Sequence, residues 1–411
     1  MILPYFENLQ SGIAAKLETL GANEPRARKR FALEIARLGV RLFSPPRPGE
    51  RVAWCGVLAP FDLLHAMGVT SCFAEFVGAM LASTGAVEPM LAAAEGAGYS
   101  TDCCSYHRAV TGATMQGLMP KPDFLIATSA PCTGGVAVIE SLARHFERPL
   151  FVIHVPQRTD GRGVAQLADQ LRRMVAFVEE QTGEPLDPAR LARSMALTNQ
   201  ARELLVELYD LARARPGPAR RRDLFNFGLV IGLLLGSEAA VEVARTYRDE
   251  LNLRVERGVA GVPGERVRLL WLQNRVQFRS PLEEMLENAG AAVVVDELNS
   301  VTWEPIDADR PFEGLARRML SIPLCGPVER RIALLQRLAR DYTVDGAVNP
   351  CHWGCRQGSG ARGLIERGLR EVGVPVLNLE VDCVDPRSFA PGQLQTRIEA
   401  FAELLSQRGG G

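Results

Sequence analysis

The chain has 411 residues, 47% apolar, 23% charged and 6% aromatic, with 47 Lys and Arg against 48 Asp and Glu for a formal charge of −1. That length supports two or three domains around large cores, and the balanced charge gives no global field to draw the chain to nucleic acid or anionic lipid. The longest apolar stretch, residues 229–236, falls short of the ~20 residues that span a bilayer, so a soluble protein is expected.

The opening MILPYFENLQSGIAAK has acidic and polar residues where a secretory signal needs a basic head and an apolar body, so a cytoplasmic chain is expected. Residues 8–42 carry apolar positions spaced by three and four, which predicts one or two amphipathic helices ended by PPRPGE at 45–50. Short apolar runs then alternate with helical patterns: RVAWCGVL, VTSCFAEF, DFLIATSA and PLFVIHVP. Such alternation predicts a parallel sheet covered by helices, with ligands at the strand C-termini. From 162 to 258 the pattern is helical, broken by RPGPARR at 215–221, and reads as a connector. A second series follows with RVRLLWLQ, AAVVVDE, DGAVNP and VPVLNLEVD, and a last helix, QLQTRIEAFAELLSQ, runs into a Gly-rich tail expected to be disordered. The expected organisation is an N-terminal helical segment at 1–45, a first α/β domain at 46–161, a helical connector at 162–262, a second α/β domain at 263–390, and a C-terminal helix and tail at 391–411. No sequence repeat relates the two α/β units.

Nine cysteines are too sparse for a disulfide scaffold, and reduced thiols serve as core residues, nucleophiles or metal ligands. Cys103 and Cys104 open a segment that runs to Gly112 just ahead of a strand. Cys132 lies where DFLIATSA meets the Gly-rich start of a helix, and Cys351 and Cys355 lie between the strand VDGAVNP and a helix. A thiolate at a helix N-terminus is stabilised by the helix dipole and by free N–H groups, which suits a nucleophile or a soft-metal ligand. Arg108 and Arg356 add positive charge nearby. Spacing leaves three readings open. Each cysteine is a small buried hydrophobe, or three loops hold one iron–sulfur centre, or zinc binds Cys103, Cys104 and His107 or Cys351, His352 and Cys355, although neither group has the spacing of structural zinc sites. Cys55 and Cys72 lie in apolar runs and read as core. Cys325 and Cys383 sit at turns, either packed or lining the crevice.

The run from Cys104 through Arg108 to Gly112, the DFLIATSAPC segment ending at Cys132, and Cys355 followed by GLIERGLREVGVPVLNLEVD, with Gly373 before the final strand, occur in a telling order. Together with PFDLLHAMG and GQLQTRIEAF, and over about Val52 to Leu405, they resemble the 2-hydroxyacyl-CoA dehydratases and ATP-dependent benzoyl-CoA reductases. IHVPQRTDGRG and VDCVDPRSF are closer to the reductase branch. The chain departs from the pattern at Thr133, where many members have Asp, and at Asp62, where the family has Glu; Cys351 and Cys383 lie outside the three-cysteine pattern.

The resemblance implies two flavodoxin-like domains holding a [4Fe–4S] cluster on Cys104, Cys132 and Cys355. It implies a related second subunit in a heterodimer, with a homodimer as the other arrangement, and a separate ATP-hydrolysing iron–sulfur activator that delivers one low-potential electron. The implied substrate is an acyl-CoA of anaerobic metabolism, either dehydrated through a ketyl radical anion or reduced at an aromatic ring. The chain has no GxxxxGK[ST] phosphate loop of its own.

His107 and His352 each neighbour a cysteine, where either would deliver a proton or hydrogen-bond a cluster sulfur, and Ser129 and Ser105 would donate to substrate or cluster. Phe124, Leu125, Ile126 and Trp353 are expected to form the apolar shell of the centre. Arg158, Arg162 and the run Arg220 to Arg222 would suit coenzyme A phosphates, but such runs are commonly solvated and are expected outside the site. Two other readings stand beside the dehydratase or reductase subunit: a noncatalytic cluster-bearing relay or partner subunit, and an α/β enzyme with Cys104 or Cys132 as nucleophile.

Overall fold

Apolar runs of four to six residues, each bounded by turn residues and followed by a helical pattern, fold as parallel strands because both sheet faces are then covered by crossover helices. The computed structural model describes residues 2–21, 24–223 and 233–408. The Gly-rich tail at 409–411 and residues 229–232 of the apolar stretch lie outside them. The first sheet contains β1 (Arg51–Cys55), β2 (Val69–Phe73), β3 (Phe124–Thr128) and β4 (Leu150–Ile153) in the order β2-β1-β3-β4. The second contains β5 (Val267–Trp271), β6 (Ala291–Asp296), β7 (Gly346–Pro350) and β8 (Val376–Leu379) in the order β6-β5-β7-β8. Every strand pair is parallel.

The two sheets share one winding, and their details match. Asp123, just before β3, accepts the Val52 N–H at 2.8 Å; Asp345, just before β7, accepts the Arg268 N–H at 2.7 Å. Trp54 in β1 and Trp271 in β5 are both fully buried, and each indole N–H donates to a loop carbonyl at 3.0 Å. The fold is therefore two flavodoxin-like α/β domains, a repetition carried by backbone geometry. In both, strand order reverses beside the central strand, and the crevice at the C-terminal strand ends is where such sheets bind ligands.

Helices Ile2–Glu18 and Ala27–Phe43 form the N-terminal layer. The Glu250 carboxylate, on the connector helix Glu238–Glu256, accepts both the Arg26 and Ala27 N–H groups at 3.0 Å and so caps the second of them. The other long connector helices, Gly161–Thr182 and Pro188–Leu211, begin at Asp160 and Asp187, whose carboxylates accept first-turn N–H groups. Asp62 joins three regions from a fully buried position. Its carboxylate receives Arg318 of the second domain at 2.8 Å and the Thr198 hydroxyl of the connector at 3.2 Å. Among the described residues no helix is long and apolar enough to cross a membrane.

One buried carboxyl carries a pH signature. Asp296 closes β6 with no exposed surface, and burial pushes its pKa up to about 7 against the pull of the Arg221 guanidinium, which stacks 3.6 Å from the Trp271 ring centroid. The unfolded carboxyl ionises near about 3.9, so the folded chain holds a proton that the unfolded chain releases, and stability falls as pH rises between those values. Asp296→Asn keeps an oxygen to accept the Leu298 N–H but has nothing to ionise. Its stability relative to the parent should climb by up to about 4 kcal/mol between pH 4 and 7 and stay level above. Urea melts at several pH values test this, and a difference independent of pH would refute it.

Candidate functional site

Cys104, Cys132 and Cys355 hold equivalent local positions: each is the residue before the first turn of a helix. The helices are Ser105–Met115, Thr133–Phe146 and the short turn Arg356–Ser359. Cys132 follows β3 and Cys355 follows β7, so the repeated domains place one thiol each at the same point of their winding. All three line one cavity of about 1660 Å³ between the domains, the N-terminal helices and the connector.

Glycines set how closely these loops approach. Gly354 has φ +73°, and a Cβ there would lie 2.5 Å from the Cys104 nitrogen, so only glycine lets the second domain's loop meet the first domain's helix start. A Cβ on Gly358 would come within 2.0 Å of the Gln273 side-chain oxygen. Gly358 instead donates its N–H to the Cys355 sulfur at 3.3 Å. Behind it, Gln273 donates to the Gly358 carbonyl at 2.8 Å, and Arg331 donates to the Gln357 carbonyl at 3.2 Å while paired with the fully buried Glu297 at 2.8 Å.

Burial raises the pKa of all three thiols. Cys104 is raised further by Cys355 and Cys132, and Cys355 by Cys132, so the sulfurs feel one another's charge across the cavity. Backbone N–H groups of Gly135, and of Gly358, oppose the shift at Cys132 and Cys355 respectively. Such thiols are neutral at pH 7, and a metal that binds them displaces their protons. Among the described residues no three His, Cys, Asp or Glu side chains form the ligand set of a single metal ion. The soft donors on this cavity that could hold a metal or a cluster include Cys104, Cys132 and Cys355.

His107 lines the cavity with Nε2 3.4 Å from Glu75 Oε1, and a Cβ on Gly134 would lie 3.1 Å from His107 Cε1 and 3.7 Å from the Cys132 sulfur. The other Glu75 oxygen is buried without a hydrogen-bond partner. Glu75, two residues beyond β2, is a site residue not expected from the sequence, where its one signal was an acid close to a strand end. His352 is buried against Cys104, with Nε2 3.6 Å from its sulfur. Ser129 lines the cavity, and its oxygen accepts the Val155 N–H at 2.9 Å. Ser105 is instead fully buried and donates to Asp382 at 2.5 Å, so its hydroxyl is spent on an interdomain bond.

Several expectations need correction. Phe124, Leu125 and Ile126 lie inside the sheet, buried on both faces, and do not line the cavity; Thr128, Ser129 and Ala130, beyond them, do. Trp353 is 50% exposed and is no part of a shell. The apolar wall comes from Phe61, Phe73 and Phe76, around the end of β2, and from Trp303 on a loop of the second domain. The run at 220–222 is not a solvated face: Arg220 and Arg222 line the cavity and Arg221 is buried. Arg158 is exposed and paired with Asp160. Cys103 is exposed and lines the same cavity, whereas the Cys351 sulfur is buried against the Asn349 carbonyl and Asn378, off the cavity lining. Cys55, Cys72 and Cys383 are buried in the core, and Cys325 lines the cavity rim.

The chain is thus a pair of flavodoxin-like domains with thiols of both lining one shared cavity. The profile of the 2-hydroxyglutaryl-CoA dehydratase D-component family matches residues 57–405, and the chain belongs to that family. It is 25% identical over 372 residues to the (R)-phenyllactyl-CoA dehydratase alpha subunit of Clostridium sporogenes, covering 87% of this chain and 90% of that one. The alpha subunit of lactoyl-CoA dehydratase from Anaerotignum propionicum is 25% identical over 87% of this chain and 91% of its own length. One of the benzoyl-CoA reductase subunits of Thauera aromatica is 25% identical over 78% and 81%.

Proposed function

We propose that this chain is the cluster-bearing subunit of an acyl-CoA dehydratase or reductase, holding a [4Fe–4S] cluster on Cys104, Cys132 and Cys355. The observation that carries the reading is the arrival of three helix-capping thiols from two repeated domains in one cavity. When bound, such a cluster supplies a single low-potential electron, and three protein ligands leave one iron open. The chain's own residues do the rest. Arg28, Lys29, Arg220 and Arg222 line the cavity and would receive the phosphates of a coenzyme A thioester. The aromatic wall excludes water from the acyl group, and His107, backed by Glu75, would exchange a proton with it. A second subunit, as the names of the alpha-subunit relatives suggest, and a separate ATP-hydrolysing activator complete the system.

Protein purified and reconstituted without oxygen should show the broad visible absorbance of a thiolate-bound cluster with about four irons per chain. Given a partner subunit, an activator and a 2-hydroxyacyl-CoA, it should form the enoyl-CoA with loss of water. Iron-free, colourless protein overturns the reading, and a loaded but inert complex makes the chain a relay subunit.

A further inference from the structure

We infer that His352 is a fixed N–H donor to the Cys104 sulfur, a positioning residue that sets the reduction potential of the centre. The inference rests on the cluster reading above for its consequence, but not for its geometry.

The two ring nitrogens of His352 have different partners, and those partners fix where the proton sits. Nδ1 lies 2.9 Å from the backbone nitrogen of Cys383, whose N–H can only donate, so Nδ1 is the acceptor and carries no hydrogen. A neutral imidazole then carries its one hydrogen on Nε2, 3.6 Å from the Cys104 sulfur. The carboxylate that would favour the other arrangement is occupied. Asp382 Oδ1 stands 3.7 Å from Nδ1, but it already accepts the Ser105 hydroxyl at 2.5 Å and the Val384 and Asp385 N–H groups at 2.8 Å each. The ring is held on its face as well: Tyr106 meets it edge-on at 5.4 Å, and the Tyr106 hydroxyl is fixed by the Gln277 amide at 2.9 Å. His352 borders the same cavity as His107 but is only 1% exposed, and both of its nitrogens are engaged, whereas His107 is the more open of the two.

An N–H aimed at a cluster-ligating sulfur stabilises the more negative, reduced state and raises the potential. His352→Leu should therefore bind a full complement of iron but show a more negative midpoint in an anaerobic titration followed by electron paramagnetic resonance. His352→Gln, whose amide N–H reaches the Nε2 position, should stay near the parent value. An unshifted His352→Leu midpoint, or a Gln variant displaced as far as the Leu one, overturns the inference. Should the Leu variant fail to fold or load, ¹⁵N-histidine spectra of the full-length iron-free chain decide it, with the His352 signal assigned by its loss in the Gln variant. An Nε2–H tautomer is expected, and an Nδ1–H tautomer or an imidazolium refutes it. A parent protein that binds no iron defeats the cluster reading, while the tautomer still reports on the hydrogen-bond geometry.

Discussion

Glu297→Leu should cost about 3–5 kcal/mol of stability, because it strands the Arg331 guanidinium in a site with 4% exposure. The Glu297 carboxylate receives Arg331 through both oxygens, at 2.5 and 2.8 Å, and also accepts the Gln273 N–H at 3.1 Å. The same three residues fasten the turn that carries Cys355, through the Gln357 and Gly358 carbonyls. Iron retention should therefore fall together with the denaturation midpoint. The double variant Glu297→Leu with Arg331→Met removes both charges and should recover most of the lost stability, since much of the single-variant cost is an unpaired buried charge. A single-variant loss below about 1 kcal/mol, with no gain in the double, would show that the pair is solvated.

Single replacement of Cys104, Cys132 or Cys355 by Ser should abolish the visible absorbance and reduce bound iron from about four per chain to a small residue. Turnover should drop by more than about a hundredfold, because changes one shell farther out already cost roughly 10–100-fold at metal sites. Cys351→Ser is the control: its sulfur is turned to Asn349 and Asn378, off the cavity lining, and the variant should load normally. Equal iron in all four variants would overturn the ligand assignment. The raised thiol pKa values also give loading a direction with pH. Each thiol must lose a proton to bind, so reconstitution should weaken as pH falls and improve as it rises toward the thiol range.

The central strands were legible because a strand buried on both faces needs a near-continuous apolar run, and runs such as FLIAT and VRLLW carry that signal within five residues. The helix-start position of the cysteines was legible for the same local reason: a thiol between a strand and a Gly-rich or polar turn sits where free N–H groups gather. Arg220 and Arg222 were misplaced because a charge run reads the same whether it faces solvent or a cavity. The shell was misplaced because residues inside a strand stay in the sheet, while the cavity begins past its end.

By itself, then, the amino-acid order determined the alternating α/β architecture and the family, and it singled out three candidate thiols, since each of these depends on residues a few positions apart or on the succession of short segments along the chain. Only the tertiary structure decided what those thiols face and what holds them. The bonds that do so join partners 248 residues apart, as Cys104 and His352, or 277 apart, as Ser105 and Asp382, and no local pattern encodes such a pairing. The tandem of two similar α/β units was legible in the succession of elements, but their matching strand order was not, because a shared winding constrains burial and backbone direction and leaves the side chains free to differ.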